Sequence, residues 1–227
     1  MLTRLTKSVG LLMLCGTAFL LGCGGGTGDK THFRSMNAVP DQTSINVMLD
    51  GSSVASSLSY GVANDYSETK SGSRHLQVQP TSSTNVFLDQ TISLAGGTNN
   101  TVVIANSSSN SAAIVLTDDS TAPTTGNIKL RIVNASPGLG TSDVYVVPPN
   151  TNLNNVTPAV TNLSFESASA YLNLGAGTYN IVFTPPGSKF AFLFAGPVTF
   201  NAGQNRTVVA LNSQSGGFSI GTLNDLN

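Results

Sequence analysis

The chain predicts an all-β protein: two tandem antiparallel β-sandwich domains behind an export signal and a flexible tether. Three observations carry this. A pattern beginning at Arg34 returns 97 residues later and keeps its order along the chain. Apolar residues alternate with period two in short stretches set off by Gly, Pro, Asn and Asp. Nothing after residue 30 sustains a helical period.

The leader comes first. Arg4 and Lys7 form a positive head, and residues 9–21 form an uncharged, mostly apolar run of 13 residues. A spanning helix needs about 20 apolar residues, so this run fits the apolar region of a secretory signal. Leu20-Leu21-Gly22-Cys23 follows. It resembles the lipobox of bacterial lipoproteins, with Gly22 before the cleaved bond and Cys23 as the invariant thiol. The resemblance implies a signal peptide over 1–22, cleavage after Gly22, and acyl chains such as palmitate on Cys23. A thiolate is the nucleophile such chemistry needs, and two acyl chains give stable anchoring to a lipid bilayer. Residues 23–31 are Gly-rich and read as a lipidated tether. Gly24 rather than Asp follows Cys23, which favours the outer membrane by analogy with enterobacterial sorting. Cys15 leaves with the signal, so no disulfide is expected and the domains rely on their cores.

The bulk composition narrows the function. Only 9% of the 227 residues are charged, against about 25% in ordinary domains, and the net charge is −1. No basic patch or run is present, which argues against a nucleic-acid partner. Trp is absent and His32 and His75 are the only histidines.

The repeat sets the domains. Arg34-Ser35-Met36-Asn37-Ala38-Val39-Pro40 returns as Arg131-Ile132-Val133-Asn134-Ala135-Ser136-Pro137. The offset grows to 105 at Tyr66 and Tyr171, the added residues falling in the Pro/Asn-rich stretch 148–158, and to 106 at Val102 and Val208. This predicts a first sandwich over 32–119, a polar linker over 120–127, and a second sandwich over 128–227. Within a repeat, residues 45–49 alternate and end at Asp50-Gly51, a strong hairpin turn. Residues 75–79 alternate too. Residues 101–105 and 207–211 are continuous apolar runs, suited to central strands buried on both faces. Seven or eight short strands per repeat, with turns every 8–12 residues, make a β-sandwich.

At these residues the chain resembles the bacterial domain of unknown function numbered 4397. The R-x-x-N-A-x-P strand, the D/N-V-x-V strand and the segment Tyr171 to Tyr179 carry the resemblance, in two copies over nearly all of 32–227. It implies an exported, immunoglobulin-like sandwich and no established activity. Asn46 stands where an acidic residue is usual, Gly138 stands where Asp is usual, and no acidic position is kept in both copies.

Candidate sites follow from the repeated polar residues. Arg34 and Arg131 can grip an anion through the guanidinium fork. Structurally, each can bond loop carbonyls or a nearby carboxylate and lock the turn that follows. The structural role has more weight, because most side-chain hydrogen bonds go to backbone or water. Asn37 and Asn134 are expected to cap that turn, and Pro40 and Pro137 to fix its φ. His32 and His75 lack a nucleophile context and read as exposed strand residues. Asp118 and Asp119 diverge on an extended strand and read as the solvated start of a loop. Asp41, Asp50, Asp118 and Asp119 make calcium conceivable, but no D-x-D-x-D loop is present, and no metal or cofactor is expected. Residues 190–200 are the most apolar of the mature chain. They read as a core strand crossing between sheets rather than as an exposed patch.

The expected function is a non-catalytic, membrane-anchored module of the bacterial cell envelope that binds or scaffolds. Loops such as 148–158 would make the contacts, and an envelope protein or glycan would be the partner. An envelope enzyme or enzyme subunit acting on glycan or peptide, and a passive spacer, are the rival functions. His75 meeting both a carboxylate and a hydroxyl would favour the enzyme.

Overall fold

A computed structural model describes residues 29–226 of the chain, so the signal peptide, Gly22 and Cys23 lie outside the described residues. The first repeat runs β1 (Lys30–Ala38), β2 (Ser44–Leu49), β3 (Ser52–Ser59), β4 (Ser67–Lys70), β5 (Gly72–Pro80), β6 (Leu88–Leu94), β7 (Asn99–Ala105) and β8 (Ala112–Asp118). Its inner sheet has the order β4-β1-β7-β8 and its outer sheet β3-β2-β5-β6. The second repeat runs β9 (Asn127–Asn134), β10 (Ser142–Val147), β11 (Val160–Leu163), β12 (Ser167–Ala168), β13 (Leu172–Gly175), β14 (Gly177–Thr184), β15 (Leu193–Phe200), β16 (Asn205–Asn212) and β17 (Phe218–Asp225). Its inner sheet is β12-β9-β16-β17, with β13 also on β9, and its outer sheet is β11-β10-β14-β15.

The sequence dictates these elements locally. Asp50 and Gly51 both take positive φ, 51° and 77°, and close a two-residue turn between β2 and β3. In β2 the residues Ile45, Val47 and Leu49 point inward while Ser44, Asn46 and Met48 alternate with them. The sheets are not wholly antiparallel. β1 lies parallel to β7, pairing Arg34 with Thr101, and β9 lies parallel to β16, pairing Arg131 with Thr207. Between the paired strands the chain passes to the outer sheet, returns briefly to the inner edge at β4 or at β12 and β13, and completes the outer sheet, and so long a crossover permits a parallel neighbour.

Three apolar layers follow. Phe33, Val47, Leu76 and Ile104 fill the first sandwich. Ile132, Val144, Phe183 and Val208 fill the second. Between the repeats, Met36, Val103, Ile114 and Leu116 meet Val133, Val209, Leu211 and Leu223. The inner sheets are therefore face to face, and the four sheets stack outer–inner–inner–outer. This is why every residue of β7 is buried, Val102 and Ile104 toward one core and Val103 and Ala105 toward the other. Each large aliphatic side chain in such a layer contributes about 1.5–3 kcal/mol.

Close approach of the inner sheets depends on Gly221. A Cβ there would lie 2.5 Å from Met36 Cε and 3.4 Å from Gly61 O. Gly221→Val therefore overpacks the layer and lowers stability by about 1–3 kcal/mol, measurable as a lower urea midpoint.

The joint between the repeats is pinned. Lys129 Nζ donates to Asp119 Oδ2 at 2.6 Å and to Thr121 O at 3.0 Å, and Asn205 Nδ2 donates to Asp119 O at 2.6 Å.

Candidate functional site

The turn after β1 and β9 is held by its asparagines. Asn37 Oδ1 accepts from Val39 N at 3.0 Å, and its Nδ2 donates to Gln42 O and Leu58 O. Asn134 Oδ1 accepts from Ser136 N at 3.2 Å, and its Nδ2 donates to Gly140 O and Leu163 O. Pro40 follows Val39 in the turn that Gln42 N closes onto Val39 O, and Pro137 opens the short 3-10 turn Pro137–Leu139. The acidic-or-amide position on the next strand works alike in both repeats. Asn46 Oδ1 accepts from Ser57 N and Asp143 Oδ1 from Asn162 N, and both donors sit at φ 52°.

The arginines do not touch these turns. Each reaches across to the other repeat. Arg34 Nη2 pairs with Asp225 Oδ1, and Arg131 Nη2 pairs with Asp118 Oδ1. The arginine side chains are 5% and 4% exposed and both aspartates 0%. Arg34 Nη1 donates to Asn224 O at 2.6 Å and Arg131 Nη1 to Thr117 O at 3.1 Å. Nε of each donates to a threonine of its own repeat, Thr101 at 2.7 Å and Thr207 at 3.1 Å. Arg34 stacks 4.3 Å from the Tyr66 ring and Arg131 4.8 Å from Tyr171. Tyr66 donates to Asp118 Oδ2 at 2.6 Å and Tyr171 to Asp225 Oδ2 at 2.8 Å. The path Arg34, Tyr66, Asp118, Arg131, Tyr171, Asp225 thus closes on Arg34.

The environment fixes the protonation of this ring. Burial, with Asp118 beside it, pushes the Tyr66 phenol far above its usual value. Burial does the same to Tyr171, against the opposing pull of Arg131. Both phenols therefore remain donors. Burial alone would lower Arg131, but Asp118, Tyr171 and Asp225 outweigh it and leave it raised. An open groove of about 600 Å³ borders Arg34 and Tyr66. Each nitrogen of Arg34 donates within the protein, the side chain is buried and Asp225 neutralises its charge, which disfavours an anion grip there.

Two sequence expectations are corrected here. Asp118 is not a solvated loop residue. The β8 register places it on the face of Ile114 and Leu116, where it meets Arg131. An acidic position is also kept in both copies: Asp118 lies opposite Asn99 and Asp225 lies opposite Asn205.

The neighbouring Asp119 is a surface group held ionised. Burial raises its pKa, but Lys129 and Thr121 bond to it and bring it down to about 2. Its folded pKa is below the unfolded 3.8, so its contribution is full above pH 3.8 and fades as pH falls toward 2. Asp119→Asn is expected to flatten the pH dependence of the urea midpoint across that window.

The remaining candidates are dispersed. Asp41 accepts from Ser108 N and Oγ, and Asp50 from Arg74 and His75 N. Among the described residues no group of three or more His, Cys, Asp or Glu can hold a metal ion. His32 lies in β1 beside Asn99. His75 Nε2 meets Asp89 Oδ1 at 2.6 Å, and Gln77 Nε2 holds the other oxygen at 2.8 Å. The pair is about half exposed, and no hydroxyl is among the hydrogen bonds of His75.

The strongest surface feature is aromatic. Residues 190–200 do not form a strand crossing between sheets. β15 is the edge strand of the second outer sheet, with Leu193 and Phe200 inward and Phe194 outward. Phe190, Phe192 and Phe194 are 72%, 47% and 61% exposed, and Phe190 meets Phe192 edge-on at 6.2 Å. The pairing sets Tyr145, Val182 and Phe194 in one row on that outer face. The equivalent row of the first repeat is Met48, Gln77 and Asp89. Residues 148–158 fold over the same aromatic face: Leu153 and Val156 pack on Tyr145, Val147 and Val182. Lys189 Nζ donates to Val156 O at 2.6 Å and lies 4.7 Å from the Tyr145 ring. Among the described residues, Val62, Val86, Val115 and Leu226 are the other exposed large apolar residues, and they lie apart in the sequence.

Two tandem sandwiches joined through their inner sheets, with one aromatic outer face, define a modular β protein. The chain belongs to the family described as domain of unknown function DUF4397, which matches residues 31–145 and 145–227 as consecutive segments. No curated protein matches. Among solved structures, the chain is similar to one of alpha-glucan recognition by family 41 carbohydrate-binding modules from streptococcal virulence factors. The identity is 14% and the TM-score 0.25, over 79% of this chain and 93% of that one. It is similar also to one of alpha-glucan binding by a streptococcal virulence factor, at 11% identity and a TM-score of 0.26, over 84% of this chain and 96% of that one. Likeness this distant carries no argument about a ligand.

Proposed function

We propose that the chain is a non-catalytic binding or scaffolding module of the bacterial cell envelope, anchored by acyl chains on Cys23, and that its second repeat takes a neutral glycan. The observation that carries the ligand is the row Phe190, Phe192 and Phe194, exposed beside a loop rich in asparagine. Aromatic rings receive the C–H face of a sugar, and amides match its hydroxyls. Charge is nearly absent from this face, and the Lys189 ammonium is already engaged, which suits an uncharged ligand. An added peptide strand suits the edge less well, because Pro197 in β15 has no N–H to offer it.

A glycan array probed with the purified full chain tests the ligand. Retention on neutral glycans is expected, and retention on none of them overturns the glycan assignment. Labelled palmitate with intact mass tests the anchor separately. Incorporation is expected in the wild type and not in Cys23→Ser, and a mature chain that starts elsewhere than Cys23 overturns it.

A further inference from the structure

We propose that the ring of Arg34, Tyr66, Asp118, Arg131, Tyr171 and Asp225 is a register lock by which each repeat completes the other, so that the repeats form one body whether or not the peptide joins them. The two faces are reciprocal. Each repeat brings an arginine, a tyrosine and an aspartate, and each arginine's closest carboxylate belongs to the other repeat, although Arg131 also lies 3.9 Å from Asp225 Oδ2 of its own repeat. The apolar layer supplies attraction but little direction, since a sheet face can slide over another. Buried ion pairs act differently: their net contribution is small, yet a misplaced one leaves an uncompensated charge in an apolar layer, which is strongly unfavourable. A shift by one residue along either β8 or β17 turns the aspartate to the wrong face and strands an arginine. Other contacts cross the same boundary. Tyr60 donates its hydroxyl to Asn212 O, and Gln214 Nε2 donates to Pro40 O at 3.1 Å.

The test uses the whole folded chain. A protease site inserted between Ala122 and Pro123, where the linker is exposed, is cut after folding. The two fragments are expected to co-elute as a one-to-one complex at micromolar concentration, and their separation overturns the proposal. The same cut is made in Asp118→Asn and Asp225→Asn chains, which keep side-chain shape but remove the carboxylate that each arginine meets most closely. Each is expected to weaken fragment association by at least about 100-fold, the cost of one broken buried pair. Unchanged association in both shows that the apolar layer alone sets the register, which also overturns it. Should either Asn chain fail to fold, the tyrosine variants Tyr66→Phe and Tyr171→Phe serve, since each removes one hydroxyl donor to an aspartate. Their effects on association are expected to be non-additive because the ring is closed, and strict additivity counts against it.

Discussion

Asp225→Ala lowers the stability of the chain by about 3–5 kcal/mol, seen as a reduced urea midpoint. The loss comes from Arg34, which keeps its charge 5% exposed and has no other carboxylate within reach. Asp118→Ala acts in the same direction through Arg131 but costs less, because Asp225 Oδ2 remains 3.9 Å from that guanidinium. The cost is that of a stranded charge and not the net value of the pair. Arg34→Met combined with Asp225→Leu should therefore recover most of the loss, because an apolar pair in this layer avoids desolvating ions. A loss below about 1 kcal/mol in both alanine variants would mean that water reaches the guanidinium and that the buried geometry is wrong.

Phe190, Phe192 and Phe194 all changed to Ser should abolish glycan retention while leaving the urea midpoint nearly unmoved. Phe190 and Phe194 are largely in water and Phe192 is about half exposed, so their removal opens no closed cavity. Central aromatic residues of a contact surface typically cost about 2 kcal/mol or more each when truncated, so affinity should fall by at least about 100-fold. The Met48→Ala change on the corresponding face of the first repeat should leave retention intact. Equal retention by the triple variant and the wild type would place the ligand elsewhere.

Much of the architecture was legible because it rests on local rules. Asp50-Gly51 specifies its turn by backbone conformation, and the apolar run at 101–105 specifies a strand buried twice. What was not legible depends on partners distant in sequence. Arg34 and Asp225 are 191 positions apart, and no local rule says that an arginine of one repeat meets a carboxylate of the other. One signal existed. Asp118 and Asp225 are 107 apart, one more than the spacing of Val102 and Val208, and extending the offset by that residue exposes the shared acid. The parallel pairing of β1 with β7 left no trace, because a buried strand has the same composition beside either kind of neighbour. Residues 190–194 misled for a related reason: a short apolar run is equally consistent with a core and with a surface that waits for a ligand.

The stack of four sheets has a dimensional consequence. Neighbouring sheets lie about 10 Å apart, so three intervals set the amide side of the first repeat and the ring side of the second about 30 Å from each other, pointing opposite ways. With a pinned joint, that span behaves as a gauge block. Anything seated on Gln77 and Asp89 stands at a constant remove from anything seated on Phe194.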